Sequence, residues 1–592
     1  MKFTKKLETF KSFLRNKLSH RQYLILFSII VGLVSGIAAV LLKVSVHNIS
    51  YFLTSGIHIR RHEYLYLLFP LTGILLTVTF IKYVLKGRFG KGAAHILYYI
   101  SRKLSIIEKP TMYSHMVTSA LTVGFGGSAG LEAPIVVTGA AIGSNIGKSA
   151  ETDYRERTLL LACGSAAGIA AVFNAPIAGL MFAIEVLISE VTISAFVPLI
   201  IASATGALCS KIILQEGILL SFHLTSPFDY MNVPYYILLG VIAGLFSLYY
   251  ARMFKKIEGL FKPLEIRSYQ KALAGGLIVA TLIFLFPPLF GEGYTSIKLL
   301  AEGNLTRLIS ETMLGSLSSN EWYLLSIIGL IAVIKVIATA FTLGSGGNGG
   351  NFAPSLFVGA FLGFFVARLL NTLKIANLPE ANFTLVGMAG ILSGVMYAPL
   401  TGIFLIAEVT GGYELMLPLM IVSVSAYAIV RHFEPYSMDT KELAAKGELI
   451  TGNRDKTVLA LLKVEDIIET DFLTVKNTAT LRELQEVIAS SRRNIYPVVN
   501  NEGALLGTIS LANIREILFN LDEFGDLLVI ELIDKPRGVV NYYDEMSKVM
   551  KLFDDTGSWN IPVQKDGKYA GFVSKSSIFT RYRDELLSHY NE

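Results

Sequence analysis

The chain has 592 residues, 52% of them hydrophobic and 17% charged, with a mean hydropathy of +0.53 and a formal net charge of +6. Soluble domains are usually about one quarter charged, so an ordinary water-soluble globule is excluded, and the length exceeds that of one usual domain. The basic residues are not interleaved with aromatics on a polar face, so no nucleic-acid partner is expected. Two cysteines, Cys163 and Cys209, sit in apolar runs; they read as buried small hydrophobes, not as a disulfide framework or a metal site.

In chain order, residues 1–22 are basic, and the positive-inside rule places them in the cytoplasm. No small-residue cleavage site follows the first apolar run, which marks a retained helix. Tyr23–Leu42 is 20 residues without a charge, long enough to cross a hydrocarbon core as a helix. Similar runs follow, among them "LYLLFPLTGILLTVTFI", "YYILLGVIAGLFSLYY", "WYLLSIIGLIAVI" and "LPLMIVSVSAYAIV". They predict an all-α polytopic membrane domain over 23–438, then a polar linker at 439–461 and a charged tail. The tail repeats a strand–turn–strand–helix pattern, "NIYPVVNNEGALLGTISLANI" and "NIPVQKDGKYAGFVSKSSI", with Ser510 and Ser574 as helix caps. It therefore divides into two small α/β domains, 462–522 and 529–592.

The membrane part is also duplicated, in halves of about 23–215 and 233–438. "FNAPIAGLMFAIEVL" recurs as "MYAPLTGIFLIAEVT", and Gly126, Gly127, Gly130, Ala133 and Pro134 recur as Gly346, Gly347, Gly350, Ala353 and Pro354. Ala175 to Ala398 and Ala133 to Ala353 give displacements of 223 and 220 residues. Such repeats belong to transporter folds, with the substrate site between the halves near mid-membrane. In each half a glycine run leads through Ala-Pro into an apolar helix. Backbone N–H groups at a helix start inside a bilayer are tolerated where they line a cavity, and they attract anions. Glu132 stands at the first of these starts. An isolated charge at mid-membrane costs about 2.5–3.5 kcal/mol on insertion scales. It is either an acid capping its own helix or a tethered anion in the site, released by protonation or a swing; the duplicated glycine motif favours the second.

These stretches resemble the CLC family of chloride channels and chloride/proton exchangers. The family's G-R-E-G-P stretch is matched by Gly130-Leu131-Glu132-Ala133-Pro134, and its G-I-F-A-P stretch by Gly350-Asn351-Phe352-Ala353-Pro354. The resemblance implies an inverted repeat, gating by Glu132, anion binding at the backbone of Gly130, Leu131 and Gly350 and at Asn351 and Phe352, and a hydroxyl contact from Tyr436. It further implies a homodimer in the cell (inner) membrane with both termini cytoplasmic. Where the family's G-S-G-I-P stretch supplies a serine, this chain has Lys91, which either tightens anion binding or snorkels to the cytoplasmic mouth. Proton-coupled members carry an inner glutamate where this chain has Val186. The expectation is passive chloride conduction of the voltage-gated channel type; a chloride/proton antiporter is the alternative. Glu185, Glu408 and Lys335 read as structural.

The tail resembles a pair of CBS domains, which often bind adenine nucleotides. The ribose-contacting positions are Asn513 and Ser577 where an aspartate is usual, which leaves a structural module at least as well supported, and no other cofactor is implied. A divalent-cation channel carrying CBS domains is the rival from another class, but its pore should be lined by several acids. An enzyme would need a polar catalytic cluster, and "GSGGNGG" lacks the Lys-Ser/Thr ending of a P-loop.

Overall fold

The computed structural model describes residues 17–55, 67–87, 89–90, 92–188, 192–214, 227–261, 268–305, 308, 320–445 and 462–588. The chain divides into two compact units, Met1–Leu449 and Ile450–Glu592.

Among the described residues the first unit is helical. Its first half comprises α1 (His20–Ser55), α2 (Leu68–Tyr83), α3 (Gly92–Arg102), α4 (Thr111–Gly124), α5 (Glu132–Ser149), α6 (Tyr154–Phe173), α7 (Pro176–Phe182) and α8 (Ile193–Leu214). The second comprises α9 (Val233–Phe261), α10 (Ser268–Leu285), α11 (Tyr294–Ala301), α12 (Glu321–Gly344), α13 (Phe352–Thr372), α14 (Glu380–Met396), α15 (Pro399–Val409) and α16 (Met416–Phe433). Among the described residues, eight helices are long and apolar enough to cross a membrane. The first predicted span, Tyr23–Leu42, is the middle of a longer helix, because α1 continues through Lys43, Ser45, His47 and Asn48.

Local chemistry repeats with the sequence. α6 ends at Asn174 and α14 at Tyr397, both in the left-handed region (φ 53° and 59°), and each is followed by Ala-Pro, with proline at the first helical position of α7 and α15. Asp153 opens α6 with a capping box: it accepts from the Glu156 N–H (2.7 Å), and Glu156 accepts from the Asp153 N–H (3.3 Å). The tightest packing is α5 on α6 and, equivalently, α13 on α14. Glycine is required there: a Cβ on Gly139 would lie 2.1 Å from the Gly164 carbonyl oxygen, and one on Gly359 2.4 Å from that of Gly387. Without a hydrophobic drive between helices in lipid, such close backbone contact carries much of the association.

The halves also exchange carboxylates. Glu185, in a π-helical turn that extends α7 through Ala183–Leu187, accepts from the N–H groups of Leu400 and Thr401 (both 2.8 Å) and from Thr401 Oγ1 (2.7 Å) at the start of α15. Glu408, near the end of α15, accepts from the N–H groups of Ile177 (2.9 Å) and Ala178 (2.8 Å) at the start of α7. Each half thus caps a helix of the other, satisfying donors that an apolar setting would leave orphaned.

Among the described residues, the second unit holds two three-stranded sheets of one topology. In each, a short strand pairs parallel to a central strand, which pairs antiparallel to a third: β1 (Val475–Lys476), β2 (Ile495–Val499) and β3 (Leu505–Ser510), then β4 (Val540–Asn541), β5 (Asn560–Lys565) and β6 (Lys568–Ser574). Both central pairs carry a register shift, after Val498 and after Val563. The predicted caps divide. Ser574 accepts from the Ser577 N–H at 2.9 Å, whereas Ser510 stands at the helix boundary without a side-chain cap bond.

Candidate anion-binding site

The two glycine runs meet. Gly130 and Gly350 form an antiparallel bridge, each N–H donating to the other's carbonyl at 2.9 and 2.8 Å. Glycine is needed for this approach, since a Cβ on Gly350 would lie 2.6 Å from that of Ala133. The bridge brings the starts of α5 and α13 together, so two positive helix ends converge on one place.

Glu132 is the first residue of α5 and is buried at 1% exposure. One carboxylate oxygen, Oε2, accepts from the Ala353 N–H at 3.3 Å, in the first turn of α13. The other, Oε1, accepts from the Tyr294 hydroxyl at the start of α11. The carboxylate therefore rests on a donor of the opposite repeat, where a free anion would compete with it for the same N–H.

Gly130, Leu131, Gly350 and Asn351 form the approach to these helix starts, with Leu131 buried. Phe352 is buried and packs its ring against Phe173 and Phe182, with centroids 5.5 and 6.3 Å apart. Asn351 Oδ1 accepts from the Tyr250 hydroxyl at 3.2 Å, and the Asn351 carbonyl accepts from the Ser355 hydroxyl at 2.6 Å. Tyr436 lies in the turn after α16 and is 42% exposed; the hydroxyl that bonds to Asn351 belongs to Tyr250. Lys91 lies outside the described residues. Val186 is half-buried in the π-helical turn, beside a Glu185 whose carboxylate is occupied by α15. In the second unit, Asn513 donates to Asp534 at 2.6 Å and Ser577 pairs with Ser574.

Tyr294 and Tyr250 carry no signal in the sequence. Tyr294 is brought in by the loop between α10 and α11. That loop is fixed by Lys335 of α12, which is fully buried and donates through Nζ to the carbonyls of Leu289 (3.1 Å) and Gly291 (2.9 Å). The ammonium also sits 4.8 Å from the Phe357 ring centroid. Asn348, in the second glycine run, accepts no part of this role. It donates from its backbone to Thr122 Oγ1 (3.0 Å) and from Nδ2 to Thr118 Oγ1 (2.8 Å), tying the run to α4.

A family model described as voltage gated chloride channel matches residues 73–431. The chain belongs to the CLC family of chloride channels and transporters. A CBS domain model matches residues 464–520. Relatives include a ClcB-like chloride channel protein of Ralstonia nicotianae, 29% identical over 400 residues (66% of this chain, 87% of the relative). Another is the chloride channel protein CLC-f of Arabidopsis thaliana, 26% identical over 547 residues (79% of this chain, 68% of the relative). Among solved structures, a slow cyanobacterial Cl−/H+ antiporter shares the fold at TM-score 0.63 and 23% identity, over 73% of this chain and 99% of that one. A eukaryotic CLC transporter does so at TM-score 0.60 and 19% identity, over 94% and 98%. In CLC terms the chain is a multi-pass membrane protein for anion transport, with an α/β tail.

Proposed function

We propose that this CLC protein conducts chloride or a related small anion passively, and that Glu132 is the gate. The observation that carries the reading is the Glu132 carboxylate on the Ala353 N–H, where it stands in for the anion until protonation or a swing removes it. Passive conduction is favoured over exchange by the inner relay position. Val186 cannot carry a proton, and the neighbouring Glu185 is held by three donors of the opposite half. The protein works as a homodimer with a pore in each subunit, in the cell membrane with both termini cytoplasmic, and it is a transport protein, not an enzyme. Tyr436 contacts the ion on its route, and Lys91 either tightens anion binding or snorkels to the cytoplasmic mouth. An adenine nucleotide is a candidate ligand of the CBS pair near Asn513 and Ser577, although both side chains are already engaged.

The test is anion flux from liposomes under a chloride gradient, with internal pH recorded. Flux that stops when gluconate replaces chloride supports anion conduction. Glu132→Ala should raise flux and flatten its pH dependence; parental behaviour at every pH refutes the gate. Proton movement against its own gradient, driven by chloride at zero voltage, refutes passive conduction.

A further inference from the structure

The two helix starts at the site are alike in backbone and unlike in side chain. Leu131 before α5 and Asn351 before α13 hold nearly the same dihedral angles, φ −91°, ψ −10° and φ −90°, ψ −1°. Leucine has no polar atom to set against its own helix. Asparagine has one: at a helix start its side-chain oxygen ordinarily accepts from the backbone N–H two or three residues on. Two residues on from Asn351 is Ala353, whose N–H is the donor on which Glu132 rests at 3.3 Å. Three residues on is Pro354, which has no N–H. The ordinary bond of Asn351 would therefore bring a third acceptor to the one N–H for which the gate and the anion compete.

That bond is not made. Asn351 has no side-chain cap bond, and its Oδ1 accepts instead from the Tyr250 hydroxyl at 3.2 Å. Tyr250 is a firm anchor. It is fully buried in α9, with its ring near parallel to that of Phe254 (centroids 6.5 Å apart, 13° between planes), in a core cluster with Val336 and Ala340 of α12 and Val358 of α13. The Asn351 backbone is held separately, since its carbonyl accepts from the Ser355 N–H (2.9 Å) and the Ser355 hydroxyl (2.6 Å). Loss of the Tyr250 hydroxyl thus frees the Asn351 side chain and little else.

We propose that Tyr250 is a positioning residue of the anion site: its hydroxyl holds the Asn351 amide oxygen off the start of α13 and so keeps the Ala353 N–H for Glu132 and the anion. This role rests on the start of α13 being the anion site. Tyr250 touches no ion and acts through Asn351. A half-buried amide oxygen that loses its donor seeks another, because an unpaired polar group away from water is costly. The Ala353 N–H is the donor that the local geometry of an asparagine reaches. The first repeat needs no such anchor, because Leu131 has nothing to hold back.

The experiment is calorimetric titration of chloride into the full chain in detergent, on the Glu132→Ala background, where the carboxylate no longer competes for the N–H. Tyr250→Phe should weaken chloride binding by about threefold to tenfold, the size of one neutral hydrogen bond turned against the ligand. Adding Asn351→Leu, which gives the second repeat the residue of the first, should tighten binding again relative to Tyr250→Phe alone. Within the Asn351→Leu background, whatever affinity that change sets, Tyr250→Phe should have no further effect. A hydroxyl that only stabilises α9 would lower the melting temperature and give no such rescue. Unchanged or tighter binding in Tyr250→Phe overturns the proposal, as does a double variant that binds no better than Tyr250→Phe. The Glu132→Ala parent separates the two claims. If it binds chloride and Tyr250→Phe binds equally well, the anion site stands and the role of Tyr250 falls. If it binds no chloride, the anion site itself falls, and the role of Tyr250 with it.

Discussion

Tyr294→Phe tests the closed gate with the smallest change of shape. The substitution removes one hydroxyl, the donor to Glu132 Oε1, and leaves a buried ring that packs edge-on to Phe173 at 6.2 Å between centroids. A hydrogen bond to a charged group contributes about 1.5–3 kcal/mol. Only the seated carboxylate makes this bond, so its loss acts on the closed state alone. The closed-to-open ratio should fall by about tenfold to a hundredfold, since about 1.4 kcal/mol is a factor of ten. The remaining Ala353 N–H at 3.3 Å is long for a hydrogen bond and holds less than the hydroxyl does. Efflux should therefore rise most at alkaline pH, where the parental gate is seated, and little at acid pH, where it is already released. The assay is chloride efflux from liposomes at two pH values, with thermal unfolding in detergent as the control for folding. An equal change at both pH values, or none at either, would refute the assignment of Tyr294 as the latch.

Glu185→Ala leaves two N–H donors of α15 without their acceptor and should cost about 2–4 kcal/mol, read as a lower melting temperature in detergent. Glu408→Ala should do the same through α7, with flux per folded molecule retained. Tyr436→Phe should weaken anion affinity by roughly 1.5 kcal/mol in calorimetry, and unchanged affinity would remove Tyr436 from the ion's route. Arg493 pairs with Glu469 (2.6 Å) and Asp471 (2.8 Å) and lies over Phe472; being partly exposed, its loss in Arg493→Ala should cost only about 1 kcal/mol, seen as faster hydrogen exchange in β2.

The glycine starts of α5 and α13 were legible because they occur twice. Duplication exposes backbone requirements that a single copy hides, and Gly130 and Gly350 do meet. That Glu132 would sit on a donor was legible because a lone acid in an apolar stretch needs one, though not which donor: the Ala353 N–H lies 221 residues away. Tyr294 and Tyr250 could not be read off. One stands in the loop sequence "FGEGYTS", which has no periodicity, and the other is one aromatic among several in α9. Nothing local tells which hydroxyl reaches a helix start. Lys335 reads from the sequence only as structural; its contacts with the Leu289 and Gly291 carbonyls, which shape the loop carrying Tyr294, come from elements distant in the chain. α1 was read too short because Lys43, His47 and Asn48 end the apolar run without ending the helix.

The reciprocal caps of Glu185 and Glu408 have a consequence for biosynthesis. Glu408 follows the Ile177 N–H that it accepts from by 231 residues. At about 5–20 residues per second, the ribosome needs roughly 10–50 seconds to cover that distance. Throughout that interval α7 is in existence with its start uncapped, and Glu185 is an acid with no helix to receive it. The first half is thus an unfinished part that cannot settle, and translation of α15 closes both open ends together. A stop codon placed between the halves should yield a product that quality control removes, and the separately made second half should rescue it only if both are inserted within the same interval.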